Sequence, residues 1–195
     1  MKLLRLLPAA AIALAALPAF AHTGGAHGAG LVAGFAHPVG GLDHLLAMVT
    51  VGLWAVQAGG RAVWLMPLAF LAAMVAGGAL GMAGIGLPAV ELAILASVVL
   101  LGTVVALKLK PALPLGMAVV AALAIFHGHA HGAEMPAAAA PVLYGAGFLV
   151  ATGLLHAAGV FGSLGIARLV REKGELLVRG TGAAIAASGA VLMVV

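Results

Sequence analysis

Residues 63–83 read VWLMPLAFLAAMVAGGALGMA, with no charged side chain among them. A helix needs about 20 apolar residues to cross a bilayer core, so this stretch is long enough to span one. Similar runs lie on either side, at 38–57, 88–107, 112–131, 140–162 and 177–195, separated by Gly, Pro and short charged loops. The whole chain of 195 residues is 65% hydrophobic and only 7% charged, with a mean hydropathy of +1.26. Soluble domains carry roughly 25% charged residues. Soluble globular folds, coiled coils and disordered tails are therefore excluded. The expected fold class is an all-α integral membrane protein, a polytopic bundle of about six transmembrane helices.

The N-terminus reads as a targeting segment. Lys2 and Arg5 precede an apolar run from Leu6 to Ala16, and Ala19-Phe20-Ala21 offers a small-x-small cleavage site. Residues 1–21 are expected to be a signal peptide, and residues 22–195 a single membrane domain. An uncleaved first helix is the alternative. With His22 outside, the inner loops and their edges carry Arg61, Lys108, Lys110, Arg168, Arg171, Lys173 and Arg179, and the outer loops carry no Lys or Arg. This asymmetry follows the positive-inside rule and predicts both mature ends outside. The setting it implies is a bacterial inner (cytoplasmic) membrane. The pI of 10.2 thus reports topology, and no nucleic-acid partner is expected. The chain has no cysteine, which removes disulfides and thiolate sites. The glycines of Gly77-Gly78-Ala79-Leu80-Gly81 suit close helix packing.

Ionisable groups inside a membrane are costly and mark function by default. One cluster is His37-Pro38-Val39-Gly40-Gly41-Leu42-Asp43-His44, at the outer end of the first span. His37 and His44 are about two helical turns apart, unless Pro38 and the glycine pair break the helix. Met48 lies one turn further on. A second cluster, Phe126-His127-Gly128-His129-Ala130-His131-Gly132-Ala133-Glu134, ends the fourth span. His127 and His131 are spaced i, i+4, and His131 and Glu134 are spaced i, i+3, so each pair shares a helical face. Imidazole with carboxylate suits Ni²⁺, Co²⁺, Zn²⁺ or Cu²⁺. Either cluster alone reads equally as packing. Two of them at one membrane face point to metal handling.

Three further polar features stand nearby. Glu91 starts the third span and serves either a cation or the helix dipole. His156 lies deeper, in the fifth span, as a relay ligand or a hydrogen-bonded core residue. His22 and His27 lie in a glycine-rich outer tail, where they offer a weak capture site or are simply solvated.

The stretch from His37 to Ala55 resembles the signature of the HupE/UreJ family. The resemblance continues at Leu87-Pro88-Ala89-Val90-Glu91 with Ser97 following, at Phe126 to Glu134, and at Thr152-Gly153-Leu154-Leu155-His156. It covers nearly the whole mature chain. Members accompany nickel hydrogenases and ureases and are regarded as nickel, in some cases cobalt, permeases. The resemblance implies His37, Asp43, His44, Glu91, His131 and Glu134 as functional positions, with Phe70 matching a family aromatic. The His-x5-Asp-His spacing is one residue longer than that of the larger nickel/cobalt transporter family.

The resulting expectation is a permease, not an enzyme. It moves Ni²⁺, or Co²⁺, as substrate, holds no permanent cofactor, and is linked to hydrogenase or urease maturation proteins. No P-loop pattern is present, so no ATP use by this chain is expected. Two rivals fit the same residues: a membrane assembly factor that binds metal without transporting it, and a haem-b electron carrier with facing histidines.

Overall fold

The computed structural model describes residues 30–137, 139–170 and 172–195. These residues form seven helices, with no strand among them: α1 Leu31–Gly40, α2 Leu42–Ala58, α3 Ala62–Met82, α4 Val90–Ala106, α5 Leu113–Ala133, α6 Pro141–Leu169 and α7 Gly174–Leu192. The expected leader, His22, His27 and Arg171 lie outside the described residues.

The chain is a multi-pass helical membrane protein. Helices α3, α5, α6 and α7 are long and apolar enough to cross a bilayer. Their outward faces are apolar too, with Trp64, Leu68, Val75, Val150, Leu154 and Phe161 all exposed. Such a surface suits lipid. Helix α4 has 17 residues, about 25 Å at 1.5 Å per residue, while the 29 residues of α6 run about 44 Å and must tilt or project.

The first expected span, 38–57, is corrected by the structure. Residues 38–40 belong to α1, and the chain turns by 86° at Gly41 into α2. Gly41 is extended, with φ −97° and ψ 119°, and a Cβ there would sit 2.9 Å from Asp43 Oδ1. Helix α1 itself was not expected. It is docked on α6, where a Cβ on Gly34 would meet the Tyr144 carbonyl oxygen at 2.0 Å.

Helices α3 and α5 pack most intimately. A Cβ on Gly128 would lie 2.0 Å from the carbonyl oxygen of Met74, and one on Gly132 would lie 2.1 Å from that of Gly78. The expected packing role of Gly77 to Gly81 is what the structure shows. Backbone approach of this kind lets dispersion replace the hydrophobic driving force that lipid cannot supply.

The two ends of the bundle differ. At one end, Gly84 takes φ 71° and closes α3, with Ile85 N–H donating to Leu80 O and Gly84 N–H to Gly81 O. At the other end, the C-terminal carbonyls of α4 receive side-chain donors. Gln57 Nε2 donates to Val105 O at 3.1 Å, and Arg179 Nε to Ala106 O at 2.8 Å. Trp54 Nε1 donates to Leu109 O at 2.8 Å, and Lys108 pairs with Glu175. These bonds satisfy carbonyls that a helix end leaves open. The bases thus gather at one end, and the His/acid clusters at the other.

Candidate metal centre

Four helices converge at the histidine-bearing end. Helix α1 brings His37, α2 brings Asp43 and His44, α5 brings His127, His131 and Glu134, and α6 presents Tyr144 and Phe148. Because α5 is a regular helix, the i, i+4 spacing of His127 and His131 places both rings on its inward face, as expected.

The outermost layer holds His37, His131 and Glu134, with one ligand atom from each lying within 4.8 Å of the others. His37 Nε2 stands 3.5 Å from Glu134 Oε2. The Glu134 side chain is 45% exposed, so this layer opens to the outside of the bundle. The His37 and His131 rings meet edge to face at 4.6 Å between centroids. His131 in turn meets His44 at 4.2 Å, and His44 meets His127 at 4.7 Å. A continuous column of four imidazoles therefore runs inward. It ends at His127, which is fully buried.

The column's tautomers are set by its neighbours. Asp43 Oδ1 accepts the backbone N–H of His44 at 2.8 Å and the Nδ1–H of the same residue at 3.0 Å. His44 thereby keeps its lone pair on Nε2, which is buried and without a hydrogen-bond partner among the described residues. Ser97 does the same for His127. The serine hydroxyl donates its one proton to Ile94 O at 2.6 Å, so the 2.8 Å contact with His127 Nε2 must be donated by the imidazole. The lone pair of His127 is left on Nδ1, again without a partner among the described residues. Both nitrogens of His131 are likewise buried and unpartnered there. A ring held through one nitrogen with the other bare is the arrangement metal-binding histidines use.

The remaining expected residues fall in different places. His129, between the two inward histidines, points the other way and binds Ile85 O at 2.7 Å through Nε2, tying α5 to the α3–α4 loop. Glu91 is exposed in the first turn of α4, with no hydrogen bond or ion pair among the described residues. Met48 is fully buried in the core. Phe70 of α3 is also fully buried, with its ring 5.8 Å from that of His127 and 5.0 Å from that of His156.

Two site residues were not expected from sequence. Phe148 packs on His131 at 4.0 Å between ring centroids, and Tyr144 lies 6.0 Å from His37. The two are one helical turn apart on α6, with Thr152 and His156 continuing the same buried face. That i, i+4 series was the available signal. A cavity of about 340 Å³ between α3, α5 and α6 opens beside His131, lined otherwise by apolar groups including Met74, Met82 and Met135.

The model of the family described as HupE / UreJ protein matches residues 10–192 of the chain. The chain belongs to the HupE/UreJ family. Among curated relatives, Protein HupE of Rhizobium leguminosarum bv. viciae is 47% identical over 185 residues, covering 94% of this chain and 95% of that protein. No solved structure matches this chain. The histidine column is therefore a site within a HupE/UreJ protein, and the two His/acid clusters that carry the family resemblance are the segments that build it.

Proposed function

We propose that this protein takes up a divalent transition-metal cation across a bacterial inner membrane, most simply Ni²⁺, with Co²⁺ as the related substrate. The uptake supplies hydrogenase or urease maturation. The carrying observation is the column His37–His131–His44–His127, which leads from an open carboxylate-bearing rim to a fully buried imidazole.

The chemistry follows from the donor set. A hydrated cation meets Glu134, His37 and His131 first. Imidazole and carboxylate replace water step by step, which lowers the cost of dehydration. Neutral imidazoles with bare nitrogens then accept the ion further in, because burying a divalent charge needs compensating ligands. Asp43 and Ser97 hold two of these rings in the receptive tautomer. Glu91, exposed at the same end of the bundle, adds negative charge at the entrance. The histidine end faces outward and the basic end inward, in keeping with the charge sorting.

Purified protein in proteoliposomes tests the reading. Uptake of radiolabelled Ni²⁺ without any partner protein supports a permease. Stoichiometric binding without uptake favours the assembly factor instead. A Soret band in the purified protein contradicts both.

A further inference from the structure

The column does not account for His156. This residue sits on α6, beside Phe70, and is buried to 2% exposure. Neither of its ring nitrogens has a hydrogen-bond partner among the described residues. A core histidine kept only for packing ordinarily satisfies at least one nitrogen, since an unmade buried hydrogen bond costs about 1–3 kcal/mol. Here both are left open, in a helix whose neighbouring turn offers another polar group, Thr152, whose hydroxyl lies 4.0 Å from Met74 Sδ.

Its position is as informative as its lack of partners. The Phe70 ring centroid lies 5.8 Å from that of His127 and 5.0 Å from that of His156. No direct ring contact joins these two imidazoles. Phe70 is fully buried. Its ring thus touches both the innermost imidazole of the column and His156.

Resting on the uptake reading, we propose that His156 is a separate inner ligand for the transported cation, reached from His127 past the Phe70 ring. The outer column then concentrates and dehydrates the ion. His156 receives it as the one imidazole of that site, with weaker donors such as the Thr152 hydroxyl one turn away on the same buried face, and from there it leaves inward. A site that must release its ion is best built weak.

The chain has no cysteine, which makes a clean test available. His156→Cys introduces a unique thiolate donor. Titrated with Co²⁺ in detergent, the full-length His156→Cys protein is expected to develop a near-ultraviolet thiolate-to-cobalt charge-transfer band, which wild type and His156→Ser lack. In parallel, His156→Ala is expected to hold Ni²⁺ by equilibrium dialysis near the wild-type value, while its uptake into proteoliposomes falls by at least about tenfold. A missing band, uptake at the wild-type rate in His156→Ala, or loss of dialysis binding along with uptake each overturns the inference. Wild-type vesicles that take up no Ni²⁺ overturn the uptake reading beneath it. A missing band with intact wild-type uptake overturns this inference alone.

Discussion

The hydroxyl of Ser97 stands 2.8 Å from Nε2 of His127 and commits its own proton to the carbonyl of Ile94, so it can only accept from the imidazole. A serine on α4 thereby dictates which nitrogen of a histidine on α5 is bare. Ser97→Ala removes the acceptor and lets His127 choose its tautomer. Loss of such an outer partner typically weakens metal binding about 10- to 100-fold, and Ni²⁺ affinity of the purified protein should fall within that range. Ser97→Thr keeps the hydroxyl and should retain affinity. An unchanged dissociation constant in Ser97→Ala contradicts the tautomer argument.

Asp43 plays the same part for His44, with the addition of charge. Asp43→Asn preserves shape but turns a committed acceptor into a group that can also donate. His44 is then free to present the wrong nitrogen. Uptake by proteoliposomes should drop about tenfold or more, with the helix content of the protein unaltered by circular dichroism.

The alternation along α5 separates neighbouring histidines. His131 lines the column, whereas His129 binds the α3–α4 loop through Ile85. His129→Ala should therefore keep Ni²⁺ affinity close to wild type while lowering the melting temperature in detergent. A large loss of affinity in His129→Ala would place it among the ligands.

Close packing of α3 on α5 predicts a different kind of defect. Gly128→Ala would push a methyl to 2.0 Å from the Met74 carbonyl oxygen, forcing the helices apart. Overpacking of this type costs about 1–3 kcal/mol, and backbone contacts leave little room to relax. A fall in melting temperature and in uptake together is expected. Gly145→Ala and Gly153→Ala face open space and should change neither.

Much of this was legible in the sequence because membrane helices obey few rules. Apolar length located α2 to α5 and α7 within about four residues, the end of α6 lies seven residues beyond the expected 162, and the 3.6-residue period put His127 and His131 on one face. Helix α1 was only partly legible: residues 38–40 read as the start of the first span, residues 31–36 gave no helix expectation, and the docking of Gly34 against α6 is a matter of tertiary packing. The turn at Gly41 was foreseen as a break, but not its 86° angle, which decides how His37 reaches Glu134. Phe148 and Tyr144 escaped notice because their role depends on which face α6 turns inward, a matter of tertiary packing. His156 read first as a hydrogen-bonded core residue and second as a relay ligand, and its two unpartnered nitrogens speak against the first reading.

On the proposed function, the outer layer of His37, His131 and Glu134 admits a divalent cation to the bundle. The most direct measurement is Ni²⁺ uptake by proteoliposomes holding wild type, His131→Ala or Glu134→Gln. The expected result is saturable uptake by wild type and at least about tenfold less in each variant, with all three proteins eluting alike on size exclusion. Equal uptake by all three would contradict the claim.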